Sequence, residues 1–274
     1  MLQRRLSIAA AYRKGRDAAG GVWRAYLTDA DGPIVEDDPD RLAQGYSVQK
    51  LAVATAVLDK VDRGELSVGQ LLEVTESDVL GGSGLYHLQG VWGDRITLAG
   101  ALTAMLLVSD NTAVRLCGRV CPAAEINDIL AAKGFRQTRV EPVADPHRFR
   151  MGTTTPRETH DLLRRLAGGT LLGPRSSEFL LRVLRSAGGY TDGVRRNMSS
   201  AERARIATKH GADVNSLGAA RHEAGIVFDR QGKPAIAYAV FADELPGRDN
   251  YGATHPAVQA HAAIGRAMLD AVTG

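Results

Sequence analysis

The feature that most constrains this chain is a change of apolar period. From Ser47 to about Gly189 apolar residues recur at helical spacing, while the segments on either side alternate or run apolar over strand lengths. Residues 3–19 read as a helix. The stretch after it, GVWRAYLTDADGPIVEDD, alternates and turns at Asp29–Gly32, which is a hairpin pattern. Past Gly189, ARIATKHGA, RHEAGIVFD and PAIAYAVFAD read as short strands, with a turn at Asp229–Lys233, and HPAVQAHAAIGRAMLDAV reads as a closing helix. Strands at both ends and helices between them predict an α/β chain of the α+β type. An antiparallel sheet is built from both chain ends, the terminal helices cover one face, and a mainly helical lobe packs on the other. The expected lobes are residues 1–46 with 190–274, and residues 47–189, with a cleft between them as the place for a site.

Within the middle, SVQKLAVATAVLDKVDRGEL predicts one helix. TLAGALTAMLLV predicts a second, apolar on nearly every side and so buried. PAAEINDILAAKGF, TTPRETHDLLRRLAGG and SSEFLLRVLRSAGGY predict three more, the second of these opened by threonines and Pro156. The charge is nearly balanced, with 34 Lys and Arg against 31 Asp and Glu. No basic run or aromatic–basic ladder is present, so nucleic acid is not an expected partner. Cys117 and Cys121 are the two cysteines; they form no CxxC and join no histidine cluster, so zinc is not expected and both read as buried thiols. The arginines at 4 and 5 hint at an export signal, but the apolar stretch behind them is short and is broken by Arg13, Lys14 and Arg16. No membrane-spanning segment is visible. The expected location is therefore cytoplasmic, or secreted if a leader has been removed, and a monomer is favoured.

Three motifs carry chemistry. Ser47-x-x-Lys50 heads a helix, so hydroxyl and amine face the same way, and a half-buried amine pushed towards neutrality can take the hydroxyl proton. The N–H groups at a helix start can also face a developing oxyanion. Ser109-Asp110-Asn111 ends the apolar helix and precedes another, and all three residue types cap helices well. Lys209-His210-Gly211 occupies a strand-like segment, where a lysine can hold an anionic group and a glycine lets a ligand lie close.

Taken together, S-x-x-K, S-D-N and K-x-G in this order resemble class A β-lactamases and penicillin-binding proteins. The spacing is similar too: Ser109 and Lys209 lie 62 and 162 positions beyond Ser47. GELSVGQLLEVTESD, RITLAGALTAMLLVSDNTAVRL and HEAGIVFDRQGKPAIAYAVF resemble that family's phrasing between motifs. The chain is identified as a divergent member of this penicillin-recognising group over roughly residues 5–272, with GGSGLYHL similar to actinobacterial-type members. The resemblance implies that Ser47 is acylated, Lys50 is its proton acceptor or hydrogen-bond partner, and Ser109 passes a proton to the leaving nitrogen. It implies that Asn111 holds the substrate amide and steadies Lys50, and that Lys209 attracts a carboxylate. It implies an oxyanion hole of the Ser47 and Ala212 N–H groups, with His210, Gly211 and Tyr86 also at the substrate. No cofactor is called for.

Three departures from the family pattern stand out. His210 replaces a threonine or serine hydroxyl that would contact a carboxylate, and imidazole titrates near neutrality. TRVEPVADPHRFRMGTTTP matches the start of the family's E-P-x-L-N loop at Glu141-Pro142 and then diverges, leaving Glu141 either as deacylation base or as a surface carboxylate. EAGIVF places Ala224 where an arginine would be expected, with Arg221, or an arginine of RRNMSSAERAR, as a substitute; His222 and Glu223 read as a structural strand-end pair. The expected function is a serine hydrolase forming an acyl-enzyme at Ser47 on a cyclic amide, amide or ester, with a small acyl substrate as its partner. The alternatives are an amidase, esterase or transacylase of small-molecule biosynthesis, and a non-hydrolytic penicillin-recognising binding protein.

Overall fold

The computed structural model describes residues 2–272. Helix α1 (Leu2–Ala19) ends at two glycines in left-handed backbone, Gly20 and Gly21, and the chain turns into strand β1 (Val22–Asp29). A tight turn at Ala30-Asp31 with Gly32 at φ 108° leads into β2 (Gly32–Asp37), the predicted hairpin. The far end of the chain supplies β8 (Ile206–Val214), β9 (Ala219–Phe228), β10 (Pro234–Leu245) and α9 (Pro256–Ala271). The strands form one antiparallel sheet in the order β2-β1-β10-β9-β8, so β1 and β10 join the two chain ends.

Alternation across this sheet separates two cores. Val227, Tyr238, Val240 and Ala242 pack with Ile8 and Tyr12 of α1 and Ile264 and Met268 of α9. Ala224, Ile226, Phe228, Ala237, Ala239 and Phe241 face the helical lobe instead. β9 is buried along its whole length, including the consecutive Arg221, His222 and Glu223 at its middle. Strand β8 is at the sheet edge, with one side free to border the lobe in front of it.

The intervening chain runs β3 (Ala43–Gln44), a 3₁₀ turn (Tyr46–Gln49), α2 (Lys50–Asp62), β4 (Leu71–Glu73), β5 (Arg95–Thr97), α3 (Leu98–Leu107), α4 (Asn111–Val120), α5 (Ala123–Ala132), β6 (Arg139–Pro142), β7 (Phe149–Thr154), α6 (Pro156–Ala167), α7 (Pro174–Leu184) and the short α8 (Ser200–Arg203). Helices α2 and α3 carry the centre of this core through Val53, Val57, Leu98, Leu102 and Met105. Helix α6 starts as expected, with the Thr155 hydroxyl accepting from the Glu158 N–H and Pro156 in the first turn. No helix of the described residues is long and apolar enough to cross a membrane.

Two readings of this region change. The single helix from Ser47 is a 3₁₀ turn followed by α2, which stops at Asp62 because Gly64 takes φ 77°. The loop carrying Glu141 is a β-hairpin, β6–β7, paired with β3 in a small three-stranded sheet. Its strands of four and six residues are too short to show a period. They are held instead by contacts from elsewhere: Gln49 Nε2 donates to Arg139 O at 3.1 Å and to Thr153 O at 2.8 Å. Glu158 accepts from the N–H groups of Gln137 and Thr138. Gly152 is required there, since a Cβ would lie 2.1 Å from Arg139 O.

Candidate active site

Ser47 sits in the 3₁₀ turn, half-buried, next to Tyr46, whose φ of 43° is unusual for a residue with a Cβ. The turn is tied down by the Gly45 N–H donating to Gly152 O at 2.9 Å, and by Gln49 reaching the β6–β7 hairpin. On its other side lies the edge strand. A Cβ on Gly211 would lie 3.0 Å from the Val48 nitrogen and 3.1 Å from the Ser47 nitrogen. Glycine therefore lets β8 approach the backbone amide of Ser47 more closely than any other residue would.

Lys50 is fully buried at the first position of α2, and its ammonium donates to Ser109 O at 2.6 Å, Ser109 Oγ at 3.0 Å and Asn111 Oδ1 at 2.8 Å. Three donors meet three acceptors, and Ser47 Oγ is not among them. Burial lowers the Lys50 pKa to about 7, against the opposing pull of Asp110. Lys209, nearly as buried, donates to the same Ser109 Oγ at 3.1 Å and to His210 O at 2.8 Å. Its pKa falls well below the ordinary lysine value through burial and then the charge of Lys50, with Glu223 opposing. Two amines thus converge on one hydroxyl.

Ser109 itself takes φ 57°, held by the residue that follows it. Asp110 is buried and caps α4 through the Ala113 N–H at 2.9 Å; its other oxygen accepts from the N–H groups of Leu85 and Tyr86. In this motif, Asp110 fixes backbone and Ser109 faces the amines. Asn111 bridges Lys50 and the 81–84 loop, its Nδ2 donating to Gly81 O at 2.9 Å.

A cleft of about 760 Å³ opens over these groups, lined by Ser47, Ser109, Asn111, His210, Ala212 and Glu141 among others. The structure thus brings to one cavity, or directly beneath it, all the sequence-predicted site residues except one. Tyr86 does not line the cleft: its ring packs against the helical-lobe core, and its N–H is taken by Asp110. Gly84, two residues earlier, has its backbone close against Asp110, and Tyr86 is half-buried. Sequence reasoning missed Tyr190, Tyr251, Arg150 and Met151, which also line the cleft. They come from loops and the hairpin, where no period or motif marks them.

Whole-chain comparison adds to this geometry. Residues 3–272 match the model of the beta-lactamase enzyme family. The chain belongs to the beta-lactamase enzyme family. At that level it is a beta-lactamase-like hydrolase. Among solved structures the fold is similar to a beta-lactamase from Sphaerobacter thermophilus, with TM-score 0.79, 22% identity and coverage of 97% of both chains. It is also similar to a beta-lactamase from Chitinophaga pinensis, with TM-score 0.81, 21% identity and coverage of 98% of this chain and 99% of that one. PBP-A matches at TM-score 0.76 and 17% identity, with coverage of 97% and 95%. No curated protein matches the sequence.

Seen as a beta-lactamase-family protein, the chain has a distinctive carboxylate side. Ala224 does pair with Lys209 across β8–β9, so no arginine stands there. Arg221 does not replace it: its guanidinium donates to Ala220 O at 2.7 Å and Asn250 O at 2.6 Å, beneath the Tyr251 ring. Arg195 is buried on the carbonyls of Leu184, Ser186 and Ile206. His210 stacks on Tyr190 with ring centroids 3.4 Å apart. Burial and the charges of Lys209 and Lys50 hold His210 well below the usual histidine range, so it is neutral at pH 7, not poised there. His222 and Glu223 lie in the middle of β9, not at its end. His222 meets Asp243 at 3.0 Å, and Glu223 accepts from Thr208 Oγ1 and the Val194 N–H. Glu141 is exposed and ion-pairs with Arg150 at 3.2 Å. Among the described residues no cluster of His, Cys, Asp and Glu could hold a metal.

Proposed function

We propose that this protein is a serine hydrolase that acylates Ser47 on a cyclic amide, amide or ester. The observation carrying this reading is the convergence of Lys50 Nζ and Lys209 Nζ on Ser109 Oγ, 3.0 and 3.1 Å away, beside the cleft that Ser47 lines. With a pKa near 7, Lys50 loses a proton readily. The neutral amine then has one donor fewer and a lone pair, so it releases one of its three acceptors and can turn towards Ser47 three residues before it.

Lys50 takes the Ser47 Oγ proton as Oγ bonds to the carbonyl carbon. The resulting oxyanion is held by the N–H groups of Ser47 and Ala212, brought together by the close approach at Gly211. As the carbon–nitrogen or carbon–oxygen bond breaks, Ser109 Oγ gives its proton to the leaving atom and recovers one from the Lys50 ammonium. Asn111 orients the acyl half while holding Lys50. Lys209 keeps Ser109 oriented, its own charge disfavoured by burial and by Lys50. With His210 neutral and Arg221 engaged, Lys209 is the amine left to meet a carboxylate on the leaving half, and burial disfavours its charge. Its two contacts, Ser109 Oγ and His210 O, lie within the site, which favours substrates without that carboxylate.

Hydrolysis of the acyl-enzyme needs a base for water. Glu141 lines the cleft but is paired with Arg150, and that pair must open first. This ion pair favours a second reading, an esterase, amidase or transacylase whose acyl-enzyme waits for an acceptor other than water. Mixing the protein with fluorescent penicillin, a chromogenic cephalosporin and p-nitrophenyl esters, followed by intact mass, tests both. Rapid turnover of the cephalosporin supports a lactamase, whereas ester acylation at Ser47 with little lactam reaction supports the acyl-transfer reading. No adduct and no turnover with any of them, matched by Ser47→Ala, would sink the acyl-enzyme assignment.

A further inference from the structure

Next to the cleft, between α4 and the β6–β7 hairpin, lies a second cavity of about 390 Å³. It shares Asn111, Arg150 and Met151 with the cleft, so the two adjoin across these three residues. Its walls are apolar: Leu80, Val114, Val143, Phe149 and Met151. On α4, residues 111, 114, 115 and 118 lie on one face, and that face meets the hairpin. The run from Asn111 to Gly118 is about 10 Å long.

The cavity is built rather than left over. Gln49 and the Gly45–Gly152 hydrogen bond pin the base of the hairpin, as described above. Its tip is pinned separately. The Ala123 N–H donates to Pro146 O at 3.1 Å, and Arg148 Nη2 donates to Ser77 O at 2.7 Å. A Cβ on Gly118 would lie 2.2 Å from His147 O, so the tip rests directly on α4 at that point. Held at both ends, the hairpin cannot collapse onto Val114, and the space between stays open. Leu80 and Val143 remain 40% and 39% exposed at this cavity, apolar surface that a ligand would cover. At its far end Arg115 and Arg148 are engaged by backbone carbonyls of residues 77–79 and by Asp145.

The geometry points to this cavity as the subsite for the acyl half of the substrate, selecting a medium-length aliphatic or arylalkyl acyl group. The inference rests on the acyl-enzyme reading, in which Asn111 faces the acyl half. An acyl chain leaving a carbonyl at Ser47 and passing Asn111 enters the cavity beside Met151. Its volume lies in the range of small-molecule pockets, about 300–1,000 Å³.

The test is a series of p-nitrophenyl esters from acetate through butyrate and hexanoate to octanoate, with acylation rates taken from the burst and Ser47 labelling from intact mass. Each buried methylene is expected to raise kcat/KM by up to about fourfold, for a total gain on the order of 10–100-fold at hexanoate. Val114→Phe fills the cavity and should bring the hexanoate-to-acetate ratio close to one. Val143→Trp, on the exposed hairpin, should narrow the same ratio if the α4 variant does not fold. A flat or falling series in the wild-type protein overturns the subsite while leaving the acyl-enzyme intact. A chain-length preference unchanged in the folded variants places the chain elsewhere and overturns it as well. Absence of any Ser47 adduct with acetate overturns the underlying reading along with it.

Discussion

Lys50 and Lys209 lie almost wholly buried on α2 and β8, and each ammonium is held by two or more acceptors of the protein. Glu141 lies on a four-residue strand, exposed, and is held by a single arginine. Both regions border one cleft. The buried groups are pre-oriented, so in the proposed reaction little reorganisation would be needed as charge developed on Ser47 and the leaving atom. The exposed pair sits in water, where such an ion pair contributes little and fixes little. Under the proposed function, a site divided in this way would form an acyl-enzyme more readily than hydrolyse one.

The contrast can be broken most directly at the nucleophile. Ser47→Ala should lower turnover of any accepted ester or lactam by about 10⁴-fold or more, read from initial rates and from loss of the mass adduct. Retention of a tenth of the wild-type rate would remove Ser47 from the chemistry. Next in size is Gly211→Ala. The added carbon meets the Ser47 and Val48 amides, so β8 must retreat, and acylation should fall on the order of 100-fold, as misplacement near 1 Å can cost. Circular dichroism should show the fold intact. An unaltered burst rate would mean that the strand's approach is not used.

The pH profile sharpens the comparison on the buried side. Lys50 must be neutral to accept a proton, and its pKa lies near 7 because burial disfavours the charge. Acylation should therefore rise about tenfold per pH unit below 7 and level off above it; a rate that falls as pH rises through 7 would assign the base elsewhere. The smallest effect belongs to the exposed side. Glu141→Gln should change the acylation burst by less than about threefold, and single-turnover decay of the mass adduct shows whether deacylation follows. A collapse of that decay to near zero would make Glu141 the deacylation base and erase the asymmetry.

Much of the fold was legible because it rests on period. The unbroken apolar run of β10 and the helical spacing of α2, α3 and α6 report which segments are covered, and the strands at both ends left one economical sheet. The three motifs marked Ser47, Lys50, Ser109, Asn111 and Lys209. Two things were not legible. The β6–β7 hairpin has strands too short for a period and is made by Gln49, Glu158 and Gly152 at a distance. Tyr86 sits inside a glycine-rich loop whose path is set by the Asp110 carboxylate, and residue type alone did not reveal that its ring turns inward.

The linear order of residues determined the chemical inventory: a hydroxyl and an amine one helical turn apart, a second hydroxyl, a second amine, and the alternation that sends them into one sheet and one lobe. Only the tertiary structure decided their partners and charges. Lys50 reaches Ser109 and Asn111 rather than Ser47, and His210 is stacked and neutral. The same packing opened an apolar cavity behind Asn111. The reason is physical. Hydrogen-bond partners, desolvation and empty space depend on which distant segments come within a few ångströms, and no local pattern encodes that distance.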